Sequence, residues 1–174
     1  MNFLDVDFSI LVEPEKEKFS EEGFDKIEFL ISTNPGEAKK PLWQIASGGE
    51  LSRIMLAFKT VFADEEGTDT LIFDEIDTGI SGKTAWKVSE KLGRLSMDHQ
   101  IICITHLPQI AAMADTHFMI EKNVKQERTV TEIISLSEEE SLGELARLLG
   151  SGNVTEAVLT NAREMKEMAC KSKV

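Results

Sequence analysis

The first forty residues carry the partial alternation of apolar and polar positions that is typical of β-strands. One such run extends from Phe3 to Val12, and a second extends from Phe24 to Ile31 and stops before the turn-prone Asn34-Pro35-Gly36. We expect two or three antiparallel strands here, with the acidic segment from Glu13 to Glu22 as a loop.

The periodicity changes from that of a sheet to that of a helix after Ser47-Gly48-Gly49. Beyond this turn, apolar residues recur at helical spacing as far as the acidic Asp64-Glu65-Glu66-Gly67 segment. The apolar stripe consists of Leu51, Ile54, Met55, Phe58, Val61 and Phe62. We expect an amphipathic helix at this place, opened by the Ser-Gly-Gly turn.

Two short apolar runs follow, Thr70–Phe73 and Gln100–Thr105, and a second amphipathic helix is predicted between them at about Lys83 to Leu95. Such runs indicate buried strands, and their connection through a helix predicts a right-handed βαβ unit with a parallel sheet. Polar residues that follow the two strands would then share one edge of the sheet, where open α/β folds bind their ligands.

The remainder of the chain predicts a short helix, a hairpin and two longer helices. They are a helix at about Pro108 to Ala114, a hairpin of His117–Glu121 and Thr129–Ile134, and helices at Ser141–Leu149 and Val154 to about Cys170. Asn153 or Thr155 lies near the cap of the last helix.

Together these elements predict an α/β fold with a parallel βαβ core, flanking antiparallel strands and C-terminal helices. We expect a single domain over residues 1–174, with a β-rich segment at 1–40, a central part at 41–137 and C-terminal helices at 138–174. At this length, folding buries roughly 70% of the surface that an unfolded chain exposes, which suffices for one core.

Composition and charge narrow the classes of function. Hydrophobic residues make up 41% of the chain and charged residues 29%, which is typical of a folded globular protein. No apolar run approaches the roughly 18 residues of a membrane span, so we expect no membrane partner and a cytoplasmic location. The net charge of −12 repels a phosphate backbone, so any contact with nucleic acid must be local or made elsewhere. Two cysteines without metal-site spacing fit a reducing compartment.

The first candidate site is Ser47-Gly48-Gly49-Glu50, at a predicted helix start. Free backbone N–H groups and the helix dipole hold anions at such a place, and the missing Cβ of glycine lets a phosphate approach. The hydroxyl of Ser47 adds a donor. The alternative is that Ser47 only caps an ordinary helix.

The second candidate site combines the residues that follow the two apolar strands. Asp74 and Glu75 follow the first strand, and His106 follows the second. A carboxylate at a strand end is suited to hold Mg²⁺, directly or through water, and a neighbouring carboxylate can position or deprotonate an attacking water. The histidine would reach the terminal phosphate of a nucleotide at the same edge. Taken singly, the acid pair can also be a solvated turn and the histidine a structural residue.

A glycine-containing loop, Asp77-Thr78-Gly79-Ile80-Ser81-Gly82, comes directly after the acid pair. Its position next to the carboxylates suits contacts between subunits, in which Asp77, Gly79 and Ser81 would take part. By itself the segment predicts only a turn.

In order and spacing, these segments resemble the second half of an ABC-type ATPase head. Ala46 to Glu50 is similar to the signature motif, Leu71 to Glu75 to Walker B with its catalytic glutamate, the loop to Gly82 to the D-loop, and His106 to the switch histidine. Three stretches, ASGGELSR, DEIDTGISG and THLPQIA, most resemble the bacterial RecN family of SMC-like ATPases, which act in DNA recombination and double-strand break repair. The motifs span about Pro35 to Met113, and the resemblance extends over nearly the whole chain.

The resemblance implies hydrolysis of ATP, with Mg²⁺ as cofactor. In this family two heads enclose two ATP molecules, each held between Walker A and Walker B of one head and the signature motif of the other. Asp74 would help to hold Mg²⁺, Glu75 would act on the hydrolytic water, and His106 would contact the γ-phosphate. The residues that would bind the nucleotide of the opposite head are Ser47, Gly48, Gly49 and Glu50.

The sequence departs from the family pattern in two places. Many ABC proteins carry an aspartate late in the D-loop, and in this sequence Ser81 stands near that position instead. In addition, no Walker A motif is present: Gly82-Lys83-Thr84 imitates its last three residues, but Asp77 stands where the first glycine is required, and a carboxylate there repels phosphates. We therefore expect Lys83 to face solvent or to support the loop.

In the family, Walker A belongs to the amino-terminal end of one long chain, beyond a coiled coil. The resemblance therefore implies that this chain is the C-terminal lobe of the head and is inactive alone. Its expected partners are the N-terminal Walker A lobe, a second head and, through the complete protein, the DNA of the nucleoid.

Three other interpretations stay open. The chain can be a non-catalytic module for pairing or DNA bridging, or the nucleotide-binding subunit of another ABC system. Alternatively, Gly82-Lys83-Thr84 can be the divergent phosphate loop of a small NTPase or kinase.

Overall fold

The computed structural model describes residues 6–14, 21, 23–45, 47–125, 128–150 and 154–173. Its strands and helices, in chain order, are β1 Asp7–Pro14, β2 Asp25–Ser32, β3 Lys40–Pro41, α1 Gly48–Glu66, β4 Thr70–Phe73, α2 Gly82–Leu95, β5 Gln100–Cys103, α3 Pro108–Ala111, β6 Phe118–Lys125, β7 Arg128–Ser135, α4 Glu138–Gly150 and α5 Glu156–Ser172.

The beginning of the chain forms the predicted antiparallel sheet, with strand order β1-β2-β3. Asp7 lies opposite Ser32 and Pro14 opposite Asp25, and the short β3 pairs with the end of β2. β1 extends two residues beyond the predicted strand, into the segment predicted as a loop. Most of that loop, residues 15–20, lies outside the described residues.

β4 and β5 pair in parallel and α2 connects them, as the sequence predicts. Thr70 lies opposite Gln100, and Phe73 lies opposite Cys103. One face of this pair packs against α1 and α2. The core on that face consists of Leu56, Ala63, Leu71, Phe73, Ile76, Val88, Leu92, Leu95 and Ile110.

The opposite face of β4 and β5 is bare in the part of the chain that the structure describes. Ile72 is 68% exposed, Ile102 46% and Ile104 49%. Successive side chains of a strand point to opposite faces, so helices on one side cover only every second residue. The prediction of buried strands is therefore right for one face and wrong for the other. Parallel sheets normally have both faces covered, which makes this an incomplete layer.

α1 is confirmed, but of its predicted apolar stripe only Ile54 is buried and Phe58 half-buried. The exposed members of the stripe are Leu51, Met55, Val61 and Phe62. The buried residues of the described part of α1 are Gly49, Arg53, Ile54, Leu56 and Ala63. The reason is that α1 lies against β4 and β5 through Leu56 and Ala63, which leaves the larger apolar side chains on another side.

Phe58 links α1 to the antiparallel sheet. Its ring centre lies 5.7 Å from that of Phe8 in β1 and 6.0 Å from that of Phe29 in β2. The first of these pairs has the edge-to-face geometry that aromatic rings favour. One residue of the predicted stripe thus packs on the antiparallel sheet.

The C-terminal helices α4 and α5 pack on each other and on α3. Their shared core consists of Ala111, Ala112, Met113, Leu145, Ala146, Ala162, Met165 and Ala169. α4 begins three residues before the predicted Ser141, because the Ser137 N–H donates to the Glu140 carboxylate at 2.8 Å and the Glu140 N–H donates to the Ser137 hydroxyl at 3.3 Å. No helix in the described ranges has the length and apolar character needed to cross a membrane.

The remaining predicted elements are present with small changes. The hairpin is longer than predicted, since β6 and β7 pair as far as Lys125 opposite Arg128. The cap of α5 is Thr155, whose hydroxyl accepts a hydrogen bond from the Val158 N–H at 3.4 Å. Asn153, the other candidate for that cap, lies outside the described residues.

Candidate functional site

The two acid residues and the histidine lie at one edge of the parallel pair. Asp74 and Glu75 directly follow β4, and His106 follows β5 by three residues. The Ile104 N–H donates to the Phe73 carbonyl at 3.0 Å, which continues the strand pairing up to this edge. The expected convergence of Asp74, Glu75 and His106 is therefore what the parallel topology produces.

Asp74 is exposed and its backbone is tied to α1. Its carbonyl accepts a hydrogen bond from the Ser52 hydroxyl at 2.9 Å, and its Oδ1 accepts one from the Glu75 N–H at 2.8 Å. Its Oδ2 makes no hydrogen bond to a described residue. One carboxylate oxygen is thus free for a ligand.

Glu75 has a left-handed backbone, with φ of 57°. Non-glycine residues avoid this region, and where they occupy it the cost is of order 1–3 kcal/mol and the place is often functional. The turn directs the Glu75 carboxylate onto Gly48, where a built Cβ would overlap its Oε2. Walker B and signature candidates of the same lobe are therefore in contact, although the resemblance assigns them to different nucleotides.

The signature candidate opens α1 as predicted. The backbone of Ser47 occupies the N-cap position, but its hydroxyl makes no capping hydrogen bond. The alternative interpretation of Ser47 as an ordinary helix cap therefore holds for its position and not for its side chain. Gly48 is exposed and Glu50 half-buried. Gly49 is buried, and a Cβ there would lie 2.7 Å from the Thr78 carbonyl oxygen. Glycine at this position is required by close packing against the D-loop candidate.

Asp77 differs from the expectation that it contacts another subunit. It is only 4% exposed, and its Oδ2 accepts hydrogen bonds from the Thr105 hydroxyl at 2.7 Å and the His106 N–H at 2.8 Å. His106 Nδ1 lies 2.9 Å from the same oxygen. A buried carboxylate is tolerated where donors replace the lost water, and the residues after β5 supply them. Gly79 and Ser81 are exposed, as the expected surface role requires.

Arg53 is a site residue that the sequence did not reveal. It is 5% exposed, and its Nη1 donates to the carbonyls of Ile76 at 3.2 Å and Thr78 at 2.8 Å. Burial lowers the pKa of Arg53, whereas the carboxylates of Glu50 and Asp77 oppose that shift. The sequence carried one signal for this role, an arginine three residues before Leu56 in a predicted helix, since residues at that spacing share a helix face. Both side chains are buried in the structure.

Cys103 ends β5 beside the same edge, and its chemistry is suppressed. Burial, together with the negative charges of Asp77 and Asp74, raises the pKa of the Cys103 thiol to about 12. A protonated thiol is a poor nucleophile and metal ligand. The carboxylates and the histidine remain the candidate functional groups of this edge.

The carboxylates suit Mg²⁺ only in part. Among the residues described, no three His, Cys, Asp or Glu side chains cluster closely enough to hold a metal ion. Mg²⁺ is usually held by one or two carboxylates together with water and substrate phosphates. The free oxygen of Asp74 fits one carboxylate ligand of that pattern.

The segment Gly82-Lys83-Thr84, which imitates the end of a phosphate-binding loop, forms the start of α2. Gly82 begins α2 with φ of 53°, Lys83 is exposed, and Thr84 is buried. The Thr84 N–H donates to the Ser81 carbonyl at 3.2 Å, so it is not free for a phosphate. The expected solvent-facing position of Lys83 is confirmed.

A concave pocket of about 350 Å³ lies away from this edge. It is lined by residues that precede β6 and by α4 and α5, among them His117, Ser141 and Lys166. None of the predicted site residues lines it. The candidate site is thus an open edge of the molecule, as a site completed by another surface would be.

No protein-family model matches the chain. The chain is 48% identical over 154 residues to the DNA repair protein RecN of Halalkalibacterium halodurans, a stretch that covers 88% of this chain and 27% of that protein. It is 45% identical over 159 residues to the DNA repair protein RecN of Bacillus subtilis, with coverage of 91% and 28%. The chain spans just over a quarter of the length of these relatives.

Two solved structures share its fold. An Smc head domain with a coiled coil and joint, from Pyrococcus yayanosii, has a TM-score of 0.60 and 22% identity, covering 82% of this chain and 26% of that one. A chain solved in work on ATP-driven dimerisation and DNA-stimulated activation of SMC ATPases has a TM-score of 0.50 and 24% identity, covering 82% and 81%. The predicted α/β fold of an ABC-type head lobe is confirmed.

Proposed function

The chain is homologous to RecN over about nine-tenths of its length, and from this homology we propose that it is the C-terminal ATPase lobe of a RecN-like DNA repair protein. The observation that carries the proposal is the meeting of Asp74, Glu75 and His106 at the carboxyl edge of β4 and β5. The reaction is hydrolysis of ATP, and DNA is reached through the complete protein at the bacterial nucleoid.

Each residue at this edge has a role that its environment supports. Glu75 takes the proton of the attacking water, which forms a bond to the γ-phosphorus while the bond to the bridging oxygen of ADP breaks. His106, whose ring is 71% exposed, contacts the γ-phosphate. Mg²⁺, held by Asp74 together with ligands from elsewhere, would neutralise charge on the phosphates.

The signature turn serves a second nucleotide, bound to another head. The Ser47 hydroxyl and the N–H groups at the start of α1 are available to an anion, since the hydroxyl is not used as a cap. Glu75 lies against Gly48 of this turn, so the candidate proton acceptor and the candidate signature motif are neighbours. Pairing of two heads around ATP is therefore part of the proposal.

The first partner is an N-terminal lobe that carries Walker A. Support comes from the bare face of β4 and β5, with Ile72, Ile102 and Ile104, because parallel sheets normally have both faces covered. The homologous relatives are more than three times as long as this stretch, which leaves room for such a lobe.

The proposal is tested with two substitutions in the full-length protein. Glu75→Gln should slow ATP turnover by at least about 100-fold while heads still pair in the presence of ATP, because only the proton acceptor is lost. Ser47→Arg should abolish ATP-dependent pairing, since a long cation fills the space meant for phosphate. Pairing is measured by light scattering and turnover by phosphate release.

The control is the isolated 174-residue chain, which should turn over little ATP without a phosphate cradle. Magnesium-dependent turnover by this chain, lost on Glu75→Gln, would contradict the composite site. Identical behaviour of the two full-length variants would contradict the division of roles.

A further inference from the structure

The carboxylate of Asp77 lies against both the backbone and the ring of His106. Both the backbone N–H and Nδ1 of His106 lie within 2.9 Å of Asp77 Oδ2. A carboxylate oxygen accepts hydrogen bonds, so this 2.9 Å contact favours the ring form in which Nδ1 carries the proton. Nε2 is the nitrogen left for a ligand on the exposed ring.

Asp77 is itself held from two sides. The Thr105 hydroxyl donates to Asp77 Oδ2 at 2.7 Å and accepts from the Leu107 N–H at 3.0 Å, which ties the carboxylate to the segment after β5. On the other side, Arg53 donates to the carbonyls of Ile76 and Thr78, which flank Asp77. The carboxylate therefore has little freedom to move, and the same holds for the ring that it binds.

We propose that Asp77 is the positioning residue for His106: it holds the ring in the Nδ1–H form and orients Nε2 toward the γ-phosphate. This inference rests on the proposed function for the role of His106 in turnover. It assigns to a D-loop residue a task inside its own lobe, through hydrogen bonds that replace solvent around a buried carboxylate.

The first test observes the ring directly and needs no ATP. In the isolated chain above pH 8, nitrogen NMR of His106 should show a proton on Nδ1, and Asp77→Ala should return the ring to the mixture of forms that a free histidine shows. Asp77→Asn keeps an oxygen that can accept the same hydrogen bonds and should retain the Nδ1–H form. Persistence of that form in Asp77→Ala would overturn the positioning role, whatever the function of the chain.

The second test is a double-mutant cycle in the full-length protein. Asp77→Ala and His106→Ala should each lower kcat by about 100-fold with little change in KM, and the double variant should be no slower than His106→Ala alone. Losses that multiply in the double variant would overturn the proposal, because Asp77 would then act independently of His106. If His106→Ala left turnover unchanged, the proposed role of His106 would fail, while the NMR result would stand.

A separate observation concerns charge on α2. Lys83, Lys87, Lys91 and Arg94 lie within one arc of the helix, since residues three and four apart share a face, and Glu90 is the acidic residue among them. In the described part of the chain, none of these four cations has an ion pair or side-chain hydrogen bond, and no large apolar side chain of α2 is exposed. A chain of net charge −12 thus presents, on α2, a helix face with four cations and one carboxylate.

We infer that this face of α2 contacts the phosphate backbone of duplex DNA, and the inference rests on the proposed role in DNA repair. A protein partner would normally bury apolar side chains at its centre, and this face offers none. Lysine and arginine side chains hold phosphates, and on this face four of them outnumber Glu90. Such contacts are independent of base sequence.

The experiment compares two triple variants of the full-length protein. Lys87→Gln, Lys91→Gln and Arg94→Gln together should weaken binding of a 40-base-pair duplex at least tenfold and reduce the salt slope of the affinity by about 2 to 3, because each phosphate contact contributes about 0.9. The matched control, Lys26→Gln, Lys40→Gln and Arg128→Gln, removes the same charge from exposed places on other elements. Equal weakening in both variants, or no change in the slope, would overturn the inference. ATP turnover without DNA should stay at the level of the unsubstituted protein.

Discussion

At the scale of single residues, the edge of the sheet is organised by contacts that reach across the sequence. Arg53 from α1 holds the backbone on either side of Asp77, and Asp77 holds His106. Ser52, the neighbour of Arg53, donates to the Asp74 carbonyl. The start of α1 is therefore attached directly to the segment after β4 and, through Asp77, to the segment after β5. At Gly49 this attachment leaves no space for a side chain.

Gly49 and Gly48 give a matched pair of substitutions. Gly49→Ala should lower the free energy of unfolding by about 1–3 kcal/mol, because its Cβ would lie 2.7 Å from a backbone oxygen, that of Thr78, which cannot turn away. Gly48→Ala meets only the end of the flexible Glu75 side chain and should be close to neutral, since alanine also favours a helix. Urea unfolding of the chain measures both. Equal values would contradict the close packing of α1 on the D-loop.

At the scale of elements, α4 is fastened at its first turn to the segment before β6. His117 Nδ1 and the Ser141 hydroxyl share a hydrogen bond of 2.8 Å. Burial lowers the pKa of His117, Glu144 opposes that shift and Lys166 adds to it. The histidine is thus held in its neutral form between a strand and two helices.

This arrangement predicts a dependence of stability on pH. The pKa of His117 in the folded chain is below its ordinary value of 6.5, so the unfolded chain binds more protons and stability falls as the pH drops below about 6.5. His117→Asn should remove a part of that decline on the order of 0.5 kcal/mol between pH 7.5 and 5.5, a small value because solvent screens a half-buried group. Chemical unfolding at several pH values measures the difference. If the difference in unfolding free energy between the original chain and His117→Asn stayed constant with pH, the lowered pKa of His117 would be contradicted.

At the scale of the whole molecule, one layer of the fold is uncovered. α1 and α2 lie on one face of the parallel pair, and the other face exposes apolar side chains in the described part of the chain. The apolar runs in β4 and β5 are those of strands with two buried faces, which supports a further layer in the complete protein.

Lysine substitutions test this layer. Ile72→Lys with Ile102→Lys should leave the isolated chain folded, since both side chains are exposed there, with an unfolding temperature within a few degrees of the original. In the full-length protein the same pair should abolish ATP turnover, because two ammonium groups would be buried without partners. Ile133→Lys in β7, which changes an equally exposed residue, is the control and should preserve turnover. Full activity of the Ile72 and Ile102 variant would contradict a lobe docked on this face.

Local patterns were sufficient for the order and type of the elements, because strand and helix periodicity and the turn residues between them act over a few neighbouring positions. The position of Asp74, Glu75 and His106 at one edge was also predictable, since parallel strands joined by a helix must end on the same side. The structure differs from these predictions in where some elements end and in which helix face is buried. β1 runs to Pro14, α4 starts at Glu138, and the apolar stripe of α1 is largely exposed.

The roles of Arg53 and Asp77 depended on tertiary structure alone. Arg53 is separated from Thr78 by 25 positions and Asp77 from His106 by 29, so no periodicity connects either pair. Their burial follows from the packing of α1 against the sheet, and the energy of a buried charge depends on which donors and acceptors that packing brings within reach. Sequence determines which groups are present, whereas the fold determines which of them meet.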